Sequence, residues 1–423
     1  MWKFLIPKRI LNIVKKCLIF IFFLSILVSN SYSQIKIKSL RYYPFGDETS
    51  LPVIISGNDN LSGLVIEFDI DAKFVPDLDI VFRFCDRNWK PMNNVFLSNY
   101  GQNVSYNIDF SSLPASVQYA TYHYKGIFPD QKGYVTFPYS GKYTFYITDA
   151  MDTSVVYASG QFYVVFPEVE INVDFKKELL EDKTYYPLEL GRIFNIKSRF
   201  TLPDKLFPAN VSCMEIVENH KIFNPYIVDR SFNTNIRQFY WDGNRAFTFM
   251  IRDVKPGNEY RQTDLRNTIK FPSGNVRAQF DGIEYPRFDK FGNRDLNGGE
   301  ELTNYDNEYA DYMNVTFSFR PADNFYGDIY LTGAFNNWQI LPAYQLTNNG
   351  GLYKKTIELK RGIFDYQYVT ADFINGEIKN QDWVQLEGNF WETENVYHIF
   401  IYYQDPDFGG FDRIIAFQKL TSK

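Results

Sequence analysis

The stretch DIVFRFCDRNW, Asp79 to Trp89, decides the fold. Ile80, Phe82 and Phe84 alternate with Val81, Arg83 and Cys85, the period of a strand with one face turned to a core. The pattern recurs on both sides. GLVIEFDI sets Leu64, Ile66 and Phe68 against Val65, Glu67 and Asp69, and GKYTFYITDA sets Tyr143, Phe145 and Ile147 against Thr144, Tyr146 and Thr148. GQFYVVF then closes the segment before Pro167, which interrupts the strand-like run FPEVEINV. Short strands with turns between them predict an immunoglobulin-like β-sandwich over residues 34–167.

The rest of the chain reads the same way. With 40 Phe and 32 Tyr, it is rich in residues that suit pleated, half-buried surfaces. Residues 168–310 predict a β-rich middle region from VSCMEIVEN, RQFYWDGNRAFTFMIRDV and VRAQFDGIEY, with WDGN as a hairpin turn. A long polar loop follows in RFDKFGNRDLNGGEELTNYDNEYADY. In residues 311–423, MNVTFSFR, DIYLTGAF, LYKKTIELK, IFDYQYVTAD and VYHIFIYYQ predict a second sandwich. The fold class is all-β, with tandem immunoglobulin-like or early-set sandwiches.

Residues 1–33 read as a cleaved signal peptide. Lys3, Lys8, Arg9, Lys15 and Lys16 precede the apolar run LIFIFFLSILV, and Ser31 and Ser33 offer small residues for cleavage before Gln34. The run is short for a membrane span, which needs roughly 20 residues. Loss of those five cations takes the formal charge from −6 to −11. Such a chain has no electrostatic attraction to nucleic acid or anionic lipid. Cys17 leaves with the leader. A bonded pair and two buried thiols are both compatible with Cys85 and Cys213, whose spacing excludes a disulfide framework or a zinc site.

No catalytic motif is present: no G-x-S-x-G, H-E-x-x-H, P-loop or dinucleotide fingerprint. His123, His220 and His398 are scattered, and His398 alternates with Val396 and Phe400 as a packed strand residue. A Cys85–His123 dyad rests on residue type alone. Asp69, Asp71, Asp77 and Asp79 read as solvated acids around a turn rather than a hydrolase pair. Asp295 to Glu301, DLNGGEE, has its glycines at the wrong offset for an EF-hand. Catalytic, cofactor and metal residues are therefore expected to be none.

YLTGAFNNW followed by GLYKKTIELKRGIFDYQYV resembles the early-set sandwich of glycogen- and starch-binding modules. That resemblance implies a sugar platform of the F-N-N-W Trp, a Lys in the next strand and a second Trp after an Asp-Gly turn. Trp338 matches the first. Gln367 stands at the Lys position, and Glu377 and Ile378 follow Asn375-Gly376 where the second Trp would be. With one of three retained, the turn reads as scaffold. The alternative reading is a glycan-binding module using Trp338, Trp383 and Trp391.

Over most of the chain the sequence resembles the plug protein family of the type IX secretion system. The resemblance runs through IKIKSLRYYPFG, VFRFCDRNWKPMNNVFLSNYG, YATYHYKGIFP and SGKYTFYI to VQLEGNFWETENVYHIFIYYQDPDFGGFDRIIAF. It implies a non-catalytic periplasmic protein, without cofactor or membrane insertion, that occludes the periplasmic mouth of a large outer-membrane β-barrel translocon. Interface residues do not carry over, although aromatic side chains on loops are expected to anchor it.

Overall fold

In a computed structural model, the structure describes residues 35–56, 62–98, 103–130, 132–180, 188–288, 295–322, 325 and 327–422. The expected signal peptide lies outside them. The chain is all-β, and its strands form three two-sheet sandwiches.

In the first sandwich, one sheet runs Lys36–Pro44, Leu64–Asp71, Tyr122–Phe128, Ser111–Ser112. The other runs Val53–Ile55, Val156–Val165, Gly141–Asp149, Leu78–Cys85, Val104–Ser105. Leu64, Ile66 and Phe68 meet Ile80, Phe82, Phe84, Tyr143, Phe145 and Ile147 in one core. Those are the apolar positions of the alternation, so local pattern and packing agree here.

The residues outside that alternation are also buried in part, because the second sheet is covered on its outer face. Val53, Tyr163 and Val165 pack on Cys213, Phe400 and Tyr402 of the next sandwich. Within this layer Lys142 and Glu215 form a buried ion pair at 2.7 Å, and the Tyr163 hydroxyl donates to Glu215 at 2.8 Å.

The second sandwich takes one sheet from Asn172–Leu179, Arg192–Thr201, Ala246–Val254 and Arg237–Trp241. Its other sheet joins Tyr226–Asp229 and Val211–Glu218 to Val396–Asp405 and Phe411–Thr421. The third is built on Gly362–Ile374, which pairs with Arg261–Asp264, Glu300–Leu302, Ile329–Gly333 and Glu377–Asp382. Facing it is the sheet Gly274–Arg277, Tyr312–Phe319, Leu352–Lys360, Thr347–Asn349.

The segments 168–310 and 311–423 therefore exchange strands. The last hairpin completes the second sandwich, while Arg261–Asp264 and Gly274–Arg277 complete the third. Alternation reports which face of a strand is buried but not which strand lies beside it. The expected polar loop contributes a strand too: Glu300–Leu302 pairs with the Gly362–Ile374 strand, and part of that loop, residues 289–294, lies outside the described residues.

Candidate functional site

Asp69 and Asp79 are not solvated turn acids. Both lie inside strands and are buried, Asp69 with only 1% of its surface exposed. Alternation places Asp69 on the outer face of its sheet, where the third sandwich covers it. His123 Nδ1 stands 2.7 Å from Asp69 Oδ1, the Tyr312 hydroxyl donates to Oδ2 at 2.8 Å, and Lys360 Nζ lies 2.9 Å from Oδ2. The Tyr305 ring stacks on His123 at 3.8 Å. Burial pushes the Asp69 carboxyl up, but the His123 hydrogen bond and the Lys360 charge outweigh it and hold it below the usual carboxylate range. The arrangement is a buried electrostatic seam between the first and third sandwiches. Asp79 accepts the Asn107 N–H at 2.8 Å, and Asp77 is exposed.

Cys85 and His123 do not meet. Cys85 sits in the opposite sheet with its Sγ 3.3 Å from Thr144 Oγ1, and burial raises its thiol to about 11. Cys213 is likewise buried and unbonded, its thiol raised by burial to about 12. Neither is a poised thiolate. His398 is buried in the Val396–Asp405 strand, and burial drives its pKa down to about 3.

Within DLNGGEE, Asp295 faces backbone and Glu301 pairs with Arg266 at 3.2 Å. Asp295 accepts the Tyr260 and Asn297 N–H groups, and Asp365 accepts those of Leu296 and Gly298 at 2.7 and 3.0 Å. Burial and the neighbouring Asp295 raise the Asp365 carboxyl to about 7. Among the described residues no group of three acids, His or Cys is placed to hold a metal.

The three tryptophans have separate surroundings. Trp338, in left-handed backbone at φ 57°, is 2% exposed. Its Nε1 donates to the Gly298 carbonyl at 2.7 Å, and the Tyr260 ring lies 4.2 Å away. The chain itself occupies the face on which a sugar would stack. Trp391 Nε1 donates to the Ile193 carbonyl at 3.0 Å, against the second sandwich. Trp383 lies beside Lys221, whose Nζ is 4.6 Å from the ring centroid.

What the sequence did not single out is an aromatic surface made by two distant segments. The turn of helix Val95–Ser98 exposes 68% of Val95 and 65% of Phe96. Phe408, 42% exposed, caps the hairpin between Val396–Asp405 and Phe411–Thr421 and stacks on Phe96 at 5.4 Å. Asn94 Nδ2 donates to the Phe408 carbonyl at 2.5 Å, and the Tyr139 hydroxyl donates to that of Phe96 at 3.3 Å. Phe411 enters the core of the first sandwich and ties the hairpin down. Phe408 itself has φ 53°, ψ 27°, a left-handed conformation that costs a bulky residue on the order of 1 kcal/mol or more. Phe408 thus combines left-handed backbone with solvent exposure. Its only sequence signal is the Asp-Phe-Gly-Gly tip.

Fold and surface together describe a multi-sandwich β-protein that carries an exposed apolar face at Val95, Phe96 and Phe408. Residues 37–166 match the family model described as type 9 secretion system plug protein, first domain, and the match supports a role associated with that system. A crystal structure of a hypothetical protein from Parabacteroides merdae is similar over 92% of this chain and 99% of that chain, with TM-score 0.74 and 18% identity, a likeness of fold. A structure of a 1.5-MDa bacterial ice-binding adhesin aligns over 92% of this chain and 96% of that chain at 10% identity, with TM-score 0.14, and carries no argument. None of the curated proteins matches.

Proposed function

We propose that the chain is a non-catalytic periplasmic subunit that binds the outer-membrane β-barrel translocon of the type IX secretion system and occludes its periplasmic opening. The match of residues 37–166 to the plug protein's first domain carries this reading. Residues 1–33 direct export and are removed. Among the described residues no helix is long and apolar enough to cross a membrane. Occlusion requires bulk and a docking face, and no bond-making chemistry. Three sandwiches joined through buried ion pairs supply the bulk, and the Val95–Phe96–Phe408 face supplies aromatic anchors of the kind that dominate interface energies. A stable contact of this sort buries roughly 1,200–2,000 Å² in total.

Affinity capture from detergent-solubilised outer membrane, with the chain tagged at its C-terminus, tests the reading. One very large barrel protein is expected at near-equal stoichiometry. Recovery of the bait alone would remove the proposal.

A further inference from the structure

The two edges of one sheet in the second sandwich are finished differently. Arg237–Trp241 forms one edge, and the loop before it closes that edge. The Ile236 carbonyl accepts from the Arg252 N–H across the sheet, so the odd-numbered residues of this strand turn their peptide groups outward. There the Arg237 carbonyl accepts from the Thr234 N–H at 2.8 Å, and the Arg237 N–H donates to Thr234 Oγ1 at 2.9 Å. The Phe239 N–H donates to Asn233 Oδ1 at 2.8 Å.

Asn172–Leu179, the opposite edge, has no such cover. Its unbroken antiparallel register with Arg192–Thr201 continues to Leu180, whose N–H donates to the Gly191 carbonyl at 2.8 Å. Even-numbered residues therefore bond inward, and Val173, Phe175, Lys177 and Leu179 turn N–H and C=O away from the sheet. Among the described residues these outward groups have no hydrogen-bond partner. Val173 and Phe175 pack their side chains on the second core, whereas Asp174, Lys176, Lys177 and Leu179 are exposed. A row of unpaired peptide groups is a template for another extended strand.

We propose that a second copy of this chain supplies that strand, the two Asn172–Leu179 strands pairing antiparallel about a two-fold axis at Phe175. Outward groups meet outward groups only when odd-numbered residues face odd-numbered ones. The register that sets Phe175 on Phe175 of the second copy also sets Asp174 opposite Lys176, and Lys176 opposite Asp174. Those fall in the pair class whose side chains stand closest. A shift to either neighbouring register puts Asp174 on Asp174 or Lys176 on Lys176, like charges face to face. The strand is thus complementary to itself. Asp174 already pairs with Arg199 and Lys176 with Glu178, so the new pairs extend an existing row of charges. A lysine on the core side of an edge commonly blocks pairing. Here Lys177 is exposed and opposes Val173, which its stem can cover while the ammonium stays in water. One strand pair buries less than the roughly 1,200 Å² of a stable interface, so the dimer is reversible. The pairing does not depend on docking to a barrel.

Sedimentation equilibrium of the chain from Gln34 onward, over about 1 µM to 1 mM, tests the pairing. A monomer–dimer equilibrium is expected, with hydrogen-exchange protection of the Val173, Phe175 and Lys177 amides rising as the dimer forms. Lys177→Pro removes an N–H that points only outward, so the dimer should be lost while the fold persists. Lys176→Asp sets acid against acid at both symmetric positions and should weaken association about tenfold. Adding Asp174→Lys to that variant restores opposite charges and should recover it. Phe96→Ser should leave the equilibrium unchanged. A chain still monomeric at about 1 mM would overturn the proposal. So would a dimer that both edge variants leave intact, or one whose protection falls outside residues 172–179.

Discussion

Lys360 shows how much a single residue holds at the seam between the first and third sandwiches. Its ammonium is buried 2.9 Å from Asp69. Lys360→Met removes one charge and leaves the other in place, a change that costs about 3–5 kcal/mol. We expect a large drop in melting temperature, read by calorimetry, with partial rescue in the double variant Lys360→Met/Asp69→Asn. The native carboxyl of Asp69 lies below its unfolded value. Its contribution is therefore full above that unfolded value, about 4, and is lost as pH falls through the native one. Asp365 behaves in the opposite sense. Its carboxyl is raised to about 7, so the native state holds a proton that the unfolded chain has released, and stability falls as pH rises from about 4 to about 7. Denaturant titrations across that range should show the wild type losing about 2–4 kcal/mol relative to Asp365→Asn. Equal slopes would contradict the assignment. None of this was legible in FDIDAKFVPDLD, because the partners Tyr312 and Lys360 lie in another sandwich and leave no local signature.

At the scale of elements, the alternation of Ile80, Phe82 and Phe84 was legible in full, since one buried face is a local property of a strand. Partner choice was not. The hairpin from Val396 to Thr421 has the same pattern as its neighbours in sequence, yet pairs with Val211–Glu218. The F-N-N-W turn reads as scaffold from its missing platform residues, and in the structure Gly298 and Tyr260 sit against the indole. Trp338→Ala should accordingly act on stability, costing about 3–5 kcal/mol as a large core truncation does. At the hairpin tip the two roles of Phe408 can be separated. Phe408→Asn suits the left-handed backbone, so stability should stay within about 1 kcal/mol of wild type. Capture of the barrel should nevertheless weaken by tenfold or more, roughly 1.4 kcal/mol, in a competition pull-down.

Across the whole molecule, strand exchange ties the last two thirds of the chain together. The fragment 311–423 would leave the strands Val396–Asp405 and Phe411–Thr421 without Val211–Glu218, exposing Tyr397, Ile399 and Ile401 of the second core. It should aggregate, whereas 168–423 should give one cooperative unfolding transition by circular dichroism, although its surface around Cys213 and Phe400 will be uncovered. A folded, monomeric 311–423 fragment would contradict this topology. A body that behaves as one unit is what an occluding subunit needs. The measurement that tests the central claim most directly is the conductance of the purified translocon barrel in a planar bilayer, before and after the chain is added on the periplasmic side. The account predicts that the open-pore current collapses at near-equimolar chain and persists when Phe96 and Phe408 are both changed to Ser. A current unchanged by saturating wild-type chain would contradict it.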